Sequence, residues 1–128
     1  MSLLIDGRPL QTYSATRGIG RYVRQIAQIF EGEEQARFLF FRGDAPPPPP
    51  SRRVSTPSPR RMITWTDSLF LPRVFADHGI TCYHSTAYGL PSLPANIRTI
   101  LTIHDLTPLL FPKFFSTRHR SVFGRIIA

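Results

Sequence analysis

The 128 residues suffice for one hydrophobic core and hence one domain, and the 41% hydrophobic content is that of an ordinary globular chain. No segment approaches the roughly 18 consecutive apolar residues of a membrane span. The first residues lack the basic start of a secretory leader and meet an acid at Asp6, and the lone Cys82 excludes an internal disulfide. A net charge of +8 suits a nucleic acid, an anionic lipid surface or a phosphorylated substrate. However, every basic residue but Lys113 is an arginine, and the arginines are scattered, so arginine- and proline-rich coding is the simpler source of the charge.

Leu3 to Asp6 predicts a first strand, ended by Gly7-Arg8-Pro9, and Thr12 to Thr16 a loop. Ile19, Tyr22, Val23, Ile26 and Phe30 recur at helical spacing, which predicts an amphipathic helix from near Gly18 to before Gly32. Arg37 to Arg42 predicts a second strand. Residues 44–59, with five consecutive prolines, predict an extended surface loop within the single domain 1–128. Met62 to Trp65 predicts a third strand, and Asp67 to His78 a helix stopped by Gly79, with Pro72 placing its start as late as Pro72 itself. Ile80 to Ser85 and Thr99 to His104 predict the fourth and fifth strands, the last buried on both faces. Ser116 to Ala128 predicts a further helix. The order β-α-β-loop-β-α-β-β-α predicts an α/β layered fold with a mostly parallel sheet.

In such sheets ligands bind beyond the carboxyl ends of the strands. That rim should gather the Gly18 loop, His84-Ser85 and His104-Asp105. Gly18-Ile19-Gly20 at a helix start lets a phosphate approach backbone N–H groups, although the same pattern also serves a plain flexible helix start. It is a poor dinucleotide fingerprint, because Val23 stands where a third small residue belongs, and no GxxxxGK[ST] phosphate loop occurs. His104 can bond a sugar hydroxyl or act as general acid or base; equally, it can bond backbone while Asp105 caps the next turn. His78, Cys82, His84 and His104 lack any recognised metal-ligand spacing, so no metal is expected and Cys82 should be a small core residue. Arg118, Arg120 and Arg125, interleaved with Phe123, Ile126 and Ile127, fit either an amphipathic helix on an anionic membrane or a core-facing helix with a basic outer side.

Four segments in order carry a resemblance. They are Ile5-Asp6-Gly7-Arg8-Pro9-Leu10, Gly18-Ile19-Gly20-Arg21-Tyr22, Tyr83-His84-Ser85 with Leu90-Pro91, and Thr102-Ile103-His104-Asp105-Leu106-Thr107-Pro108 with Phe111-Pro112. Together they resemble the N-terminal domain of retaining GT-B glycosyltransferases, in the large family that includes bacterial mannosyltransferases. The resemblance implies the Rossmann-like, three-layer N-terminal half of a two-domain enzyme, incomplete at its C-terminal end. The enzyme would move a sugar, mannose for instance, from a GDP- or UDP-sugar to a glycan or lipid-linked acceptor with retention. It implies catalytic roles for His104 and Asp105, and substrate contacts from Gly18, Ile19, Gly20, Tyr22, His84 and Ser85. It implies no cofactor beyond the sugar nucleotide as substrate, a cytoplasmic place at or near the inner face of the membrane, and no nucleic-acid partner. The donor-binding second domain is missing, so the isolated chain should be inactive or nearly so. The rival expectation is a non-catalytic module that binds a glycan or an anionic ligand on the same rim.

Overall fold

Residues Leu3 to Ile5 carry no polar side chain, and such a run is stable only in a strand covered on both faces. The computed structural model builds that sheet; it describes residues 1–42, 52–57, 63–87 and 89–115. The elements are β1 (Leu3–Asp6), α1 (Gly18–Ile29), β2 (Ala36–Phe41), β3 (Arg53–Thr56), α2 (Ile63–His78), β4 (Cys82–Ser85), β5 (Arg98–Leu101) and a single turn, α3 (Thr107–Leu110). The strands lie in the order β3-β2-β1-β4-β5, and every neighbouring pair is parallel. The protein is thus an α/β domain of Rossmann-like form.

Strand alternation divides the core in two. Leu3 and Ile5 of β1, Phe38 and Phe40 of β2 and Cys82 of β4 form one cluster, onto which Ile26 and Ala27 of α1 and Phe30 just after it pack. Leu4, Leu39, Val54 and Tyr83 form the other, completed by Leu71, Val74 and Phe75 of α2. Cys82 is buried, as expected of a small core residue. α2 ends where Gly79, at φ +61°, lets the Ile80 N–H reach back to the Phe75 carbonyl.

The structure corrects several expectations. Arg53–Thr56, inside the anticipated 44–59 loop, is the edge strand β3 paired with β2. An edge needs hydrogen bonds on one side only, and Val54 and Thr56 alternate inward while Arg53 and Ser55 face out. Of the expected third strand, Met62 lies outside the described residues, and Ile63, Thr64 and Trp65 belong to the first turn of α2 instead. Their β-branched character favours a strand locally, yet packing of the continuous helix prevails, and Pro72 lies within that helix instead of opening it. The segment Thr12 to Thr16 contains a 3-10 turn, Tyr13–Thr16, preceded by another at Arg8–Gln11. β5 is shorter than expected and is not buried on both faces: it is the second sheet edge, with Ile100 47% exposed. Beyond it Leu110, Phe111 and Phe114 are also exposed. The expected helix Ser116 to Ala128 lies outside the described residues.

The polar exception inside this core is a clamp at the carboxyl end of β1. Asp6 shares the α2 face with Leu4, and two residues later Arg8 folds back onto it. Arg8 Nε and Nη2 donate to the Asp6 carboxylate at 2.8 and 2.7 Å, while Nη1 and Nη2 donate to Asp67 of α2 at 2.9 and 2.7 Å. Arg8 is 3% exposed and Asp67 1%. Burial pulls the guanidinium towards deprotonation, but Asp6 and Asp67 more than offset it and hold Arg8 well above its ordinary value. The fully buried Tyr83 phenol beside them is pushed upward, first by burial and then by Asp6. The clamp ties β1, the following 3-10 turn and α2 into one unit. Replacing Arg8 by Met is expected to cost about 3–5 kcal/mol, because it leaves two buried carboxyl groups facing each other. Urea unfolding should also show the variant's deficit relative to the wild type narrowing from about pH 7 to about pH 5, as protonation relieves the unpaired charge.

Candidate functional site

The site stands on the α1 side of the sheet, above the carboxyl ends of β4 and β5. In β4, Cys82 belongs to the α1-side cluster, so alternation turns His84 the same way and sends Tyr83 and Ser85 to the α2 side. β5 pairs Ile100 with His84, so Thr102, two residues on, continues that face as the chain leaves the sheet. The Thr102 N–H still bonds the Ser85 carbonyl at 3.0 Å, which holds its side chain over His84. From the other side, Tyr22 reaches in from the second turn of α1.

The result is a closed polar triangle. Thr102 Oγ1 lies 2.8 Å from the Tyr22 hydroxyl and 2.8 Å from His84 Nε2, and the hydroxyl lies 3.5 Å from His84 Nε2. His104 completes it: its ring stands edge-on to Tyr22, with centroids 5.0 Å apart. His104 Nε2 sits 2.7 Å from the Thr86 carbonyl, which can only accept, so Nε2 carries a proton. The same Thr86 donates through Oγ1 to the Asp6 carbonyl at 2.5 Å, tying the imidazole's support to the clamp end of β1. His84 is held below the ordinary imidazole range, chiefly by burial and further by His104, against an opposing pull from Asp6.

The other anticipated site residues fall differently. Gly18 and Ile19 open α1, whose first turn has no side-chain cap, and Tyr22 follows Gly18 by one turn, about 6 Å along the axis. A Cβ on Gly18 would meet nothing within 4 Å, whereas one on Gly20 would overlap the backbone carbonyls of Ser14 and Ala15. The missing side chain of Gly20 therefore serves close packing of α1 on the Tyr13–Thr16 turn. Ser85 points away from the triangle, and its hydroxyl lies within reach of the Ala87 and Gly89 carbonyls. Asp105 is exposed and turned away from His104; its Oδ1 accepts from the Thr107 N–H at 2.7 Å and from the Thr107 hydroxyl. Those two bonds, the hydroxyl first, hold its carboxyl below the ordinary range. Thr102 and Thr86 were not anticipated. The signal for Thr102 was its two-residue spacing from His104, legible only once β5 is registered against β4.

Among the described residues no group of three His, Cys, Asp or Glu side chains could hold a metal ion, and no helix is long and apolar enough to cross a membrane. The chain matches no family model, and neither a curated protein nor a solved structure shows significant similarity to it.

Two predictions separate packing from binding here. Gly20→Ala is expected to destabilise by about 1–3 kcal/mol, whereas Gly18→Ala should leave the thermal midpoint unchanged; thermal unfolding of both variants checks the contrast. Because folding lowers the His84 pKa, the unfolded chain binds the extra proton first. Stability should therefore fall as pH drops below about 6.5 and keep falling to the native His84 midpoint. His84→Gln should flatten this slope in urea titrations between about pH 7 and pH 5, a window above the acid limb of Asp105 near about pH 4.

Proposed function

We propose that the chain is the acceptor-side, N-terminal part of a retaining GT-B glycosyltransferase that uses a nucleotide-sugar donor. The observation that carries the proposal is the meeting of Tyr22, His84, Thr102 and His104 at the carboxyl rim, one helical turn from the uncapped start of α1. Sugars are bound through hydroxyl groups, each both donor and acceptor, and this cluster supplies hydroxyl and imidazole partners of both kinds. His104 gives its Nε2–H to the Thr86 carbonyl, which fixes the orientation in which its imidazole is presented at the rim. Departure of a nucleotide diphosphate builds negative charge, and preorganised N–H groups at the start of α1 would stabilise it. At Gly18, where an added Cβ would meet nothing within 4 Å, a phosphate could approach the backbone. Asp105 would act through the turn it builds after His104, as a positioning group. The sugar's identity, the acceptor and the place at the inner face of the membrane follow from the resemblance alone.

Isothermal titration of the purified chain with GDP-mannose, UDP-glucose and acceptor glycans tests this proposal. Donor binding weakened about tenfold by His104→Ala, equivalent to one lost hydrogen bond of about 1.4 kcal/mol, is expected, together with no turnover by this chain alone. Binding of acceptor glycan with no response to donor would favour a non-catalytic glycan-binding module. Turnover of sugar nucleotide by the 128-residue chain would overturn the assignment of donor contacts to a second domain.

A further inference from the structure

We infer that Thr102 is a positioning residue that couples the protonation of His84 to the direction in which Tyr22 offers its phenolic proton, so that the site presents an acceptor to its ligand in one state and a donor in the other. The inference concerns the site of the proposed function and rests on that proposal only for the identity of the ligand.

It follows from counting protons. Thr102 Oγ1 holds a single proton and stands 2.8 Å from both the Tyr22 hydroxyl and His84 Nε2, so the arrangements that use this proton within the cluster have it donate to one neighbour and accept from the other; accepting from both would leave it without a partner there. Tyr22 and His84 are 3.5 Å apart and communicate mainly through it. Two arrangements satisfy all three atoms. In the first, Tyr22 donates to Thr102 and Thr102 donates to His84 Nε2, which must be unprotonated; Tyr22 then offers the pocket only oxygen lone pairs. In the second, His84 Nε2–H donates to Thr102 and Thr102 donates to the Tyr22 oxygen, which frees the phenolic proton for a ligand. A neutral His84 permits either arrangement through its two tautomers, whereas a cationic His84 excludes the first and favours the second, the one that still pairs the Thr102 proton within the cluster.

Among the described residues, the titratable groups facing His84 are few. Asp6 from β1 favours its protonation, while burial and His104 from the segment after β5 oppose it; Tyr22 of α1 is the remaining neighbour. His84 is therefore neutral near pH 7 and gains its proton on acidification below the ordinary imidazole range. The acid state suits an anionic oxygen such as a diphosphate; the neutral state also accepts a hydroxyl donor.

The test is NMR of the isotope-labelled full chain across about pH 4.5 to pH 8, a window spanning the ordinary imidazole midpoint. Tyr22 ring resonances should move with the His84 midpoint in the wild type and in Thr102→Ser. They should stop tracking it in Thr102→Val, although His84 still titrates. Tyr22 signals indifferent to His84 in the wild type, or still tracking it in Thr102→Val, would overturn the inference. Where the valine variant fails to fold, the wild type and the serine variant decide the matter. In parallel, GDP affinity should rise about fivefold through the His84 midpoint in the wild type and less in Thr102→Val, as expected for one gained hydrogen bond. Coupled titration without GDP binding at any pH would support the relay and count against the sugar-nucleotide proposal instead.

Discussion

Asp6 ends β1 on the face that α2 covers, where water does not reach its carboxylate, and it persists there because Arg8 turns back to meet it and Asp67. Burying three ionisable groups is costly, and a well-packed apolar replacement could be as stable, so what the clamp adds is chiefly specificity. A guanidinium forked between two carboxylates permits one placement of the turn after β1 and one rotation of α2. That turn leads into the 3-10 segment against which Gly20 packs, and Gly20 sets how closely the start of α1 approaches that segment. The position of Tyr22 therefore depends, through a short and stiff route, on Arg8.

The two faces of the sheet have taken different roles by the same rule of alternation. On the α2 side the polar residues at the strand ends, Asp6, Tyr83 and Ser85, are consumed by internal partners: the clamp and the loop after β4. On the α1 side, His84 and Thr102 are joined by Tyr22 and His104 into a cluster at the rim. Thr86 links the sides, taking the His104 proton donor on its carbonyl and giving its own hydroxyl to β1. Structural polarity and site polarity are thus separated by one strand's thickness.

Much of this was legible in the residues themselves. α1 follows from the spacing of Tyr22, Val23, Ile26 and Phe30, and the nearness of His84 and His104 from their places at the carboxyl ends of successive strands. The division of labour within each pair was not legible. Gly18 and Gly20 look alike in sequence but differ in what surrounds an added Cβ. His84 and Ser85 are neighbours on opposite faces, and Asp105 turns to its own backbone while His104 turns inward. The β3 strand has no clear local signal because prolines flank it, and the start of α2 has none because its β-branched residues suit a strand equally well.

By itself the sequence determined the class of fold and the end of the sheet where polar groups would gather, since these depend on the order of helical and extended periodicities along the chain and on the open carboxyl ends of parallel strands. Tertiary structure alone decided which strand was an edge, that Arg8 and Asp67 would meet across 59 positions, and that Thr102 would stand between Tyr22 and His84. Those are long-range matters of register and distance, and no local propensity encodes them.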